Sequence, residues 1–508
     1  MESPSNGGPH FKFEIRFIEM KQDRREFLRS IVYGAAGIAI LPRMAFASAD
    51  SPWETEVPKI LSRIKPPRIP KRDFIITKFG ATGGVQNDST TAIARAIDEC
   101  SKAGGGRVVI PEGDFLTGAV HLKSNIDLHV SKGATLKFST DPKAYLPAVF
   151  TRWEGMELMG YSPFIYAFEQ TNIAITGNGT LDGQANNENW WKWTGSRNFG
   201  WKEGMPSARA ARAKLYKMMD DGVPVENRVF GEGSFLRPNF IQPYKCKNIL
   251  IEGVTIINSP MWEIHPVLSE NVTVRNVTIS SHGPNNDGCD PESCKDVLIE
   301  NCNFDTGDDC IAIKSGRNDD GRRIGVPTEN VIVRGCVVKD GHGGVTIGSE
   351  ISGGVRNVFA ENCRMDSPHL DHALRVKNNA ARGGLLENFY FRNLTIGQVA
   401  HAVVMIDFNY EEGAKGKYTP IMRNYFVENV RSGKSEYAVD LQGLDNAPIV
   451  NVRIGDSTFD NVAKGSIVKN VQELKLDNVK LNGKVVDRLD NAVQIAGSVS
   501  PKRKYLTR

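Results

Sequence analysis

Two carboxylates stand side by side at Asp308 and Asp309, in the stretch TGDDCIAIKSG that runs from Thr306 to Gly316. Neighbouring carboxylates repel, and consecutive strand residues point to opposite faces, so the pair needs a bend and a partner before it can serve one site. Gly307 supplies the bend. Three other short stretches carry comparable chemistry: Asn285-Asn286-Asp287, Gly341-His342-Gly343 and Arg375-Val376-Lys377. Taken singly each is ordinary. An isolated Asp-Asp is usually a solvated turn, Arg-Val-Lys an exposed strand face, and an Asp cluster on a β-solenoid can hold Ca²⁺. They gain meaning only if the fold draws them together.

The element that would do so is a repeat. KNILIEGVTI starts at Lys247, ENVTVRNVTI at Glu270, KDVLIENCNF at Lys295 and ENVIVRGCVV at Glu329, followed by copies at Arg356, Glu387 and Arg423. An earlier copy begins at Thr171 and a later one at Val450. Each alternates apolar and polar residues, the mark of a half-buried strand, and each is broken by Asn or Gly. The intervals, roughly two to three dozen residues, suit a solenoid. Helical signals between copies are scarce, and a propeller would need about four strands per blade. The pattern predicts an all-β chain wound into a parallel β-helix, with Asn at its turns. A solenoid end must be covered, and NDSTTAIARAIDECSKAGGG reads as an N-terminal capping helix, started by Asp88 or Ser89 and buried through Ile93, Ala96, Ile97 and Cys100.

Aligning the strands that precede successive copies places NNDGCDPES, GDDCIAIKS, GHGGVTIGS and DHALRVKNN in register. Ile311, Ile313, Val345, Ile347, Leu374 and Val376 then face the core, while Lys314, Thr346, Arg375 and Lys377 are expected to face solvent. Asp287 falls beside Asp309 on coils about 4.8 Å apart, and Asp308 aligns with His342. Cleaving a glycosidic bond needs one protonated carboxyl for the leaving oxygen and one carboxylate to activate water. Crowded carboxylates supply both states. Asp308 is expected as the acid, with Asp287 and Asp309 holding the water, an arrangement that implies inversion. Arg375 and Lys377 suit a substrate that itself carries carboxylates.

These four motifs, in this order within about a hundred residues, resemble glycoside hydrolase family 28, the polygalacturonases, and the resemblance runs from about Phe79 to about Asp487. It implies a right-handed parallel β-helix that hydrolyses α-1,4-galacturonosidic bonds of pectin or polygalacturonate. It carries Asp308, Asp287, Asp309 and His342 over as catalytic residues and Asn285, Arg375 and Lys377 as substrate-binding, with no metal and no cofactor. Asn286 stands where the family often has Thr, and the C-terminal Tyr of many endo-acting members has no secure counterpart, Tyr437 being nearest. The expected partner is an acidic pectic polysaccharide or oligosaccharide, and the expected state a monomer. Another pectic linkage such as that of rhamnogalacturonan, a Ca²⁺-dependent lyase and a silent glycan-binding β-helix are the alternatives.

The remaining sequence sets boundaries. Of 508 residues, Lys and Arg exceed Asp and Glu by only four, too little to suggest a nucleic-acid partner. Residues 1–49 contain DRREFLRS, a short apolar run and MAFASAD, which together read as a twin-arginine-like export signal, with a mis-assigned start as the alternative reading of residues 1–19. The mature protein would then lack a membrane span and be periplasmic or secreted. Residues 50–72 are expected to be a linker, 73–490 the catalytic β-helix and 491–508 a basic tail. An insertion at about 184–240 holds four of the seven tryptophans, in NENWWKWTGSRNFGW, with RPNF near its end. Such a block can wall off a groove, which predicts exo-action, or its rings can simply pack it onto the solenoid. Eight cysteines do not make a chain this long a disulfide scaffold. Cys302, Cys336 and Cys363 share one repeat position and are expected as stacked free thiols, and a Cys289–Cys294 bridge is left open.

Overall fold

Alternation becomes strand after strand in the computed structural model, which describes residues 51–489. The expected export signal and basic tail lie outside those residues. Lys247, Glu270, Lys295, Glu329, Arg356, Glu387, Arg423 and Val450 are successive parallel partners, and Thr171 precedes them beside Lys247. Two residues on, Val272, Val297, Val331, Val358, Phe389, Tyr425 and Val452 stack inside, none more than 1% exposed. Burying one such side chain contributes roughly 1.5–3 kcal/mol, and coil-to-coil contacts add along the axis. The fold is a parallel β-helix.

Asn at the turns has a physical reason. Asn248, Asn271, Asn388 and Asn424 have φ between 56° and 63°, a left-handed conformation that Asn tolerates well. Their amides pass a hydrogen bond along the stack: Asn248 Nδ2 donates to Asn172 at 2.9 Å, Asn271 to Asn248 at 2.7 Å and Asn424 to Asn388 at 2.9 Å. All eight cysteines are free and buried, so the Cys289–Cys294 bridge is not formed. The helix Thr90–Lys102 buries the five residues Ala92, Ile93, Ala96, Ile97 and Cys100 at the solenoid's end, with Asp88 Oδ1 accepting the Thr90 N–H at 2.9 Å.

Part of the expected linker, residues 52–65, is docked on the solenoid instead. Pro52–Thr55 and Val57–Arg63 are helical and lay Trp53, Val57, Ile60 and Ile64 on Leu298, Ile332 and Phe359, which are adjacent on successive coils. Arg63 grips Asp296 through two hydrogen bonds of 2.8 and 2.6 Å, Lys65 and Asn271 exchange two more, and the Arg392 guanidinium lies 4.1 Å from the Trp53 ring centre. The clue was present in apolar residues at three- and four-residue spacing.

A second ladder bears the site. Ile241, Ile264, Cys289, Ile311, Val345, Leu374, Val404 and Val439 follow one another across adjacent coils. Ile311, Ile313, Val345, Ile347, Leu374 and Val376 face the core as the alternation requires. The insertion contributes the helix Arg209–Asp220 and the strand Val229–Phe230. Leu215, Met219 and Phe230 pack on Trp153, Met156 and Leu158 of the hairpin Val149–Trp153/Met156–Gly160, and on Met261 and Trp262. Among the described residues no helix is long and apolar enough to cross a membrane.

Candidate active site

With Cys289 beside Ile311 and Ile311 beside Val345, the coil register sets Asp287 next to Asp309 and Asp308 next to His342. The Gly288 N–H donates to the Asp309 carbonyl at 3.0 Å and the His342 N–H to the Asp308 carbonyl at 3.0 Å. One oxygen from each of Asp287, Asp308 and Asp309 lies within 4.8 Å of the others. Gly307 is required for space, since a Cβ there would stand 2.3 Å from the Gly283 carbonyl oxygen. Asn286 is fully buried and holds the preceding turn: its Oδ1 accepts from Ser281 Oγ and the Gly283 N–H, and its Nδ2 donates to the carbonyls of Ser259 and Met261.

The three carboxylates sit in different fields. Asp309 is fully buried; its Oδ1 accepts from Thr346 Oγ1 and Arg375, both at 3.1 Å, and its Oδ2 from Lys377 at 2.6 Å. Burial pushes its pKa up, but the Lys377, Arg375 and Lys314 charges hold it well below the usual carboxylate range. Asp308, with a side chain 19% exposed, is the most accessible of the three and accepts from His342 Nδ1 at 3.0 Å. Burial raises it, and His342 more than offsets the rise. Asp287 goes the other way: burial and the Asp290 and Asp308 charges raise it well above its ordinary value, against the pull of Lys314. Of the three, Asp287 is therefore the carboxylate whose surroundings most favour the protonated form, whereas those of Asp308 favour the ionised one.

Lys314, Thr346, Arg375 and Lys377 correct a second expectation, because all four are buried rather than solvent-facing. Their charges are matched by the acids: Lys314 Nζ reaches Asp287 at 3.4 Å, Glu350 at 3.3 Å and Asp290 at 3.6 Å. Rings cover the same face, with Trp262 centred 4.3 Å from Lys314 Nζ and Tyr410 5.4 Å from Lys377 Nζ. Tyr410 belongs to an irregular segment without the repeat, and sequence reasoning missed it. Tyr437 instead meets His401 edge-on, on a strand two coils beyond Arg375.

Asn285 is half-buried and accepts at Oδ1 from Arg237 at 2.7 Å. Of the insertion's tryptophans, Trp190 and Trp193 are core, packed with Tyr145, Phe164, Tyr161 and Phe235. Trp191 is half-buried, donates to the Ser259 carbonyl at 2.8 Å and fills the space over Gly283. By spacing, the acid trio could ligate a cation, as could His282, Asp305 and Asp340 on the surface. In the trio, however, Arg375, Lys377 and Lys314 already supply the positive charge.

His342 gives a pH prediction. Burial lowers its pKa, but Asp308 reverses this and carries it from 6.5 to about 9. A raised folded-state pKa contributes stability below pH 6.5 that is lost as pH rises through 9. The melting temperature of His342→Gln should therefore trail the wild type at pH 6 and converge on it by pH 10. A gap that does not change with pH would remove the ion pair from the account.

A β-helix presenting coupled acids backed by buried cations is the frame of a carbohydrate-cleaving enzyme. The model of Glycosyl hydrolases family 28 matches residues 232–482. A hyperthermoactive exopolygalacturonase from Thermotoga maritima is 50% identical in sequence, with a TM-score of 0.83 over 85% of this chain and 97% of its own. A probable polygalacturonase from Vitis vinifera is 29% identical, covering 77% of this chain and 75% of its own. An exo-poly-alpha-D-galacturonosidase from Dickeya chrysanthemi is 28% identical, covering 77% and 65%. This chain belongs to glycoside hydrolase family 28.

Proposed function

We propose that the protein is an exported, exo-acting polygalacturonase that hydrolyses α-1,4-galacturonosidic bonds of polygalacturonate with inversion. The observation that carries this reading is the trio Asp287, Asp308 and Asp309 at mutual distances within 4.8 Å, in a field of buried Arg and Lys. Asp308, the exposed member, meets the glycosidic oxygen. Substrate desolvates it and raises its proton affinity, so the proton held at rest by Asp287 passes to Asp308. Asp287, now ionised, joins Asp309 in orienting and deprotonating the water. Asp309 is an unsuitable covalent nucleophile because both its oxygens are committed to Thr346, Arg375 and Lys377. The separation is shorter than the ~6.5–9.5 Å usual for inverting pairs, so inversion rests on these commitments and on the family, and not on spacing.

Exo-action is supported by the insertion's wiring to the site. Asp287 contacts Lys314, which contacts Glu350, which contacts Arg317 at 3.1 Å. Arg317 approaches Glu154, which is held by Arg212 at 2.8 Å and Tyr216 at 2.9 Å, both on the insertion helix. The similar exopolygalacturonase and exo-galacturonosidase support the same reading.

Timed product analysis on polygalacturonate tests it. Free galacturonate or short units of one size should appear from the first minutes, and the first anomer seen by proton NMR should be β. A ladder of oligomers would mean endo-action, and an α-anomer would mean retention. An unsaturated, UV-absorbing product would replace hydrolysis by elimination, and no release would direct the search to branched pectins.

A further inference from the structure

Arg237 lies in RPNF, just ahead of the strand Ile241–Tyr244, and is 3% exposed. A guanidinium this deep is normally paired with a carboxylate. Here its hydrogen bonds go to neutral oxygens: Nη1 donates to the carbonyls of Pro260 at 2.7 Å and Pro284 at 2.6 Å, and Nη2 to Asn285 Oδ1 at 2.7 Å. It thus ties two successive turns of the site face and fixes the side chain at the head of the first acid motif. Burial lowers its pKa to about 10, against the pull of the Glu154, Asp308 and Asp287 charges.

The consequence falls on Asn285. An amide side chain offers an acceptor oxygen and a donor NH₂, and near-identical shapes let either end face a given partner. Guanidinium has donors only, so Arg237 must take the oxygen. The Asn285 Nδ2 group is then turned away from Arg237, and it meets no acceptor among the described residues. Asn285 holds φ at 55°, which fixes the backbone from which that amide projects, two residues before Asp287. The result is a half-buried donor beside the acids, with a cation behind it.

We infer that Arg237 is a positioning residue that orients Asn285 as an obligate donor, and that this donor binds an anionic acceptor, the carboxylate of a galacturonate ring next to the scissile bond. The inference rests on the polygalacturonase reading and deepens it, because it makes the free acid, not its methyl ester, the form recognised at that position. A carboxylate brought to Asn285 also meets the charge of Arg237 that no protein carboxylate neutralises at contact.

Arg237→Ala is a poor test, since it leaves three oxygens without their donor and so acts on folding as well as on Asn285. Asn285→Asp avoids this. It gives Arg237 a carboxylate partner, so the full chain should melt at or above the wild-type temperature. It also removes the donor and sets a like charge against the substrate, so KM for oligogalacturonate should rise at least tenfold, with a smaller change in kcat. The wild type should further prefer oligogalacturonate over its methyl ester, and the variant should lose most of that preference. An unchanged KM and an unchanged preference overturn the inference while leaving the function intact, as does a fall in melting temperature accompanied by equal losses in kcat and kcat/KM. A wild type that leaves oligogalacturonate uncleaved overturns the functional reading and this inference together.

Discussion

Changing Asp309 to Asn is expected to lower kcat by roughly 10²–10⁴-fold and, unlike the same change at Asp308, to lower the melting temperature even above pH 9. The kinetic loss is that of a group that activates water. The stability loss has a separate origin. Asp309 is the carboxylate that pairs directly with both Arg375 and Lys377, whose side chains are 2% and 7% exposed. Removing one partner of a buried ion cluster leaves charge uncompensated, at a cost of about 3–5 kcal/mol. Asp308 pairs with His342 at a site one-fifth open to water. Above pH 9, where His342 is neutral and the pair no longer contributes, Asp308→Asn should therefore lose comparable activity yet melt near the wild type. Denaturation curves beside single-turnover rates separate the two variants. Equal melting temperatures would mean that Arg375 and Lys377 are not held chiefly by Asp309.

Lys314→Met is expected to raise the acid limb of the kcat/KM profile by about 1–3 pH units, the span over which a contacting opposite charge moves a carboxylate. Lys314 is the cation nearest Asp287, and it opposes the burial and the Asp290 and Asp308 charges that favour protonated Asp287. Without it the acid cluster takes up a second proton at higher pH, and the carboxylate left to activate water is lost progressively as pH falls. Burial lowers the Lys314 pKa, but Asp290, Glu350 and Asp287 carry it well above the usual value, so the ammonium persists throughout the assay range. Deleting it should also cost about 3–5 kcal/mol, because Glu350 and its acidic neighbours lose their shared cation. Lys314→Arg should keep the wild-type limb. A profile unmoved in Lys314→Met would show that Lys314 does not govern the protonation of Asp287.

Much of the active-site geometry was legible because strand alternation has a period of two and leaves no freedom of register. Once Ile311, Val345 and Leu374 must face inward, Asp287 has to fall beside Asp309 and Asp308 beside His342. The repeat copies were equally legible, since their Asn residues mark each turn. What escaped was whatever covers the repeat. The hairpin Val149–Gly160, the helix Arg209–Asp220 and the segment holding Tyr410 carry no repeat of their own, so nothing in the strand pattern said that Lys314, Arg375 and Lys377 would be buried. The contrast between the surroundings of Asp287 and Asp308 was hidden for the same reason, because it depends on burial that the cover creates. Arg237 had no local signal beyond its place in RPNF; its importance lies in partners 23 to 48 residues away.

The segment from Trp53 to Lys65 reverses the order in which the chain can be completed. Arg63 meets Asp296 across 233 residues of sequence, and Trp53 rests against Phe359 and Arg392, further along still. During synthesis these helices emerge long before the coils that receive them, so they wait while the solenoid winds and dock only when the platform of Leu298, Ile332 and Phe359 has been laid down. Contacts that close after the coils are expected to be absent from the folding transition state, so Trp53→Ala should speed unfolding and leave the refolding rate nearly unchanged. They act on how slowly the molecule comes apart and hardly on how quickly it forms. These two helices thus serve as a latch on the coils beneath, closed last.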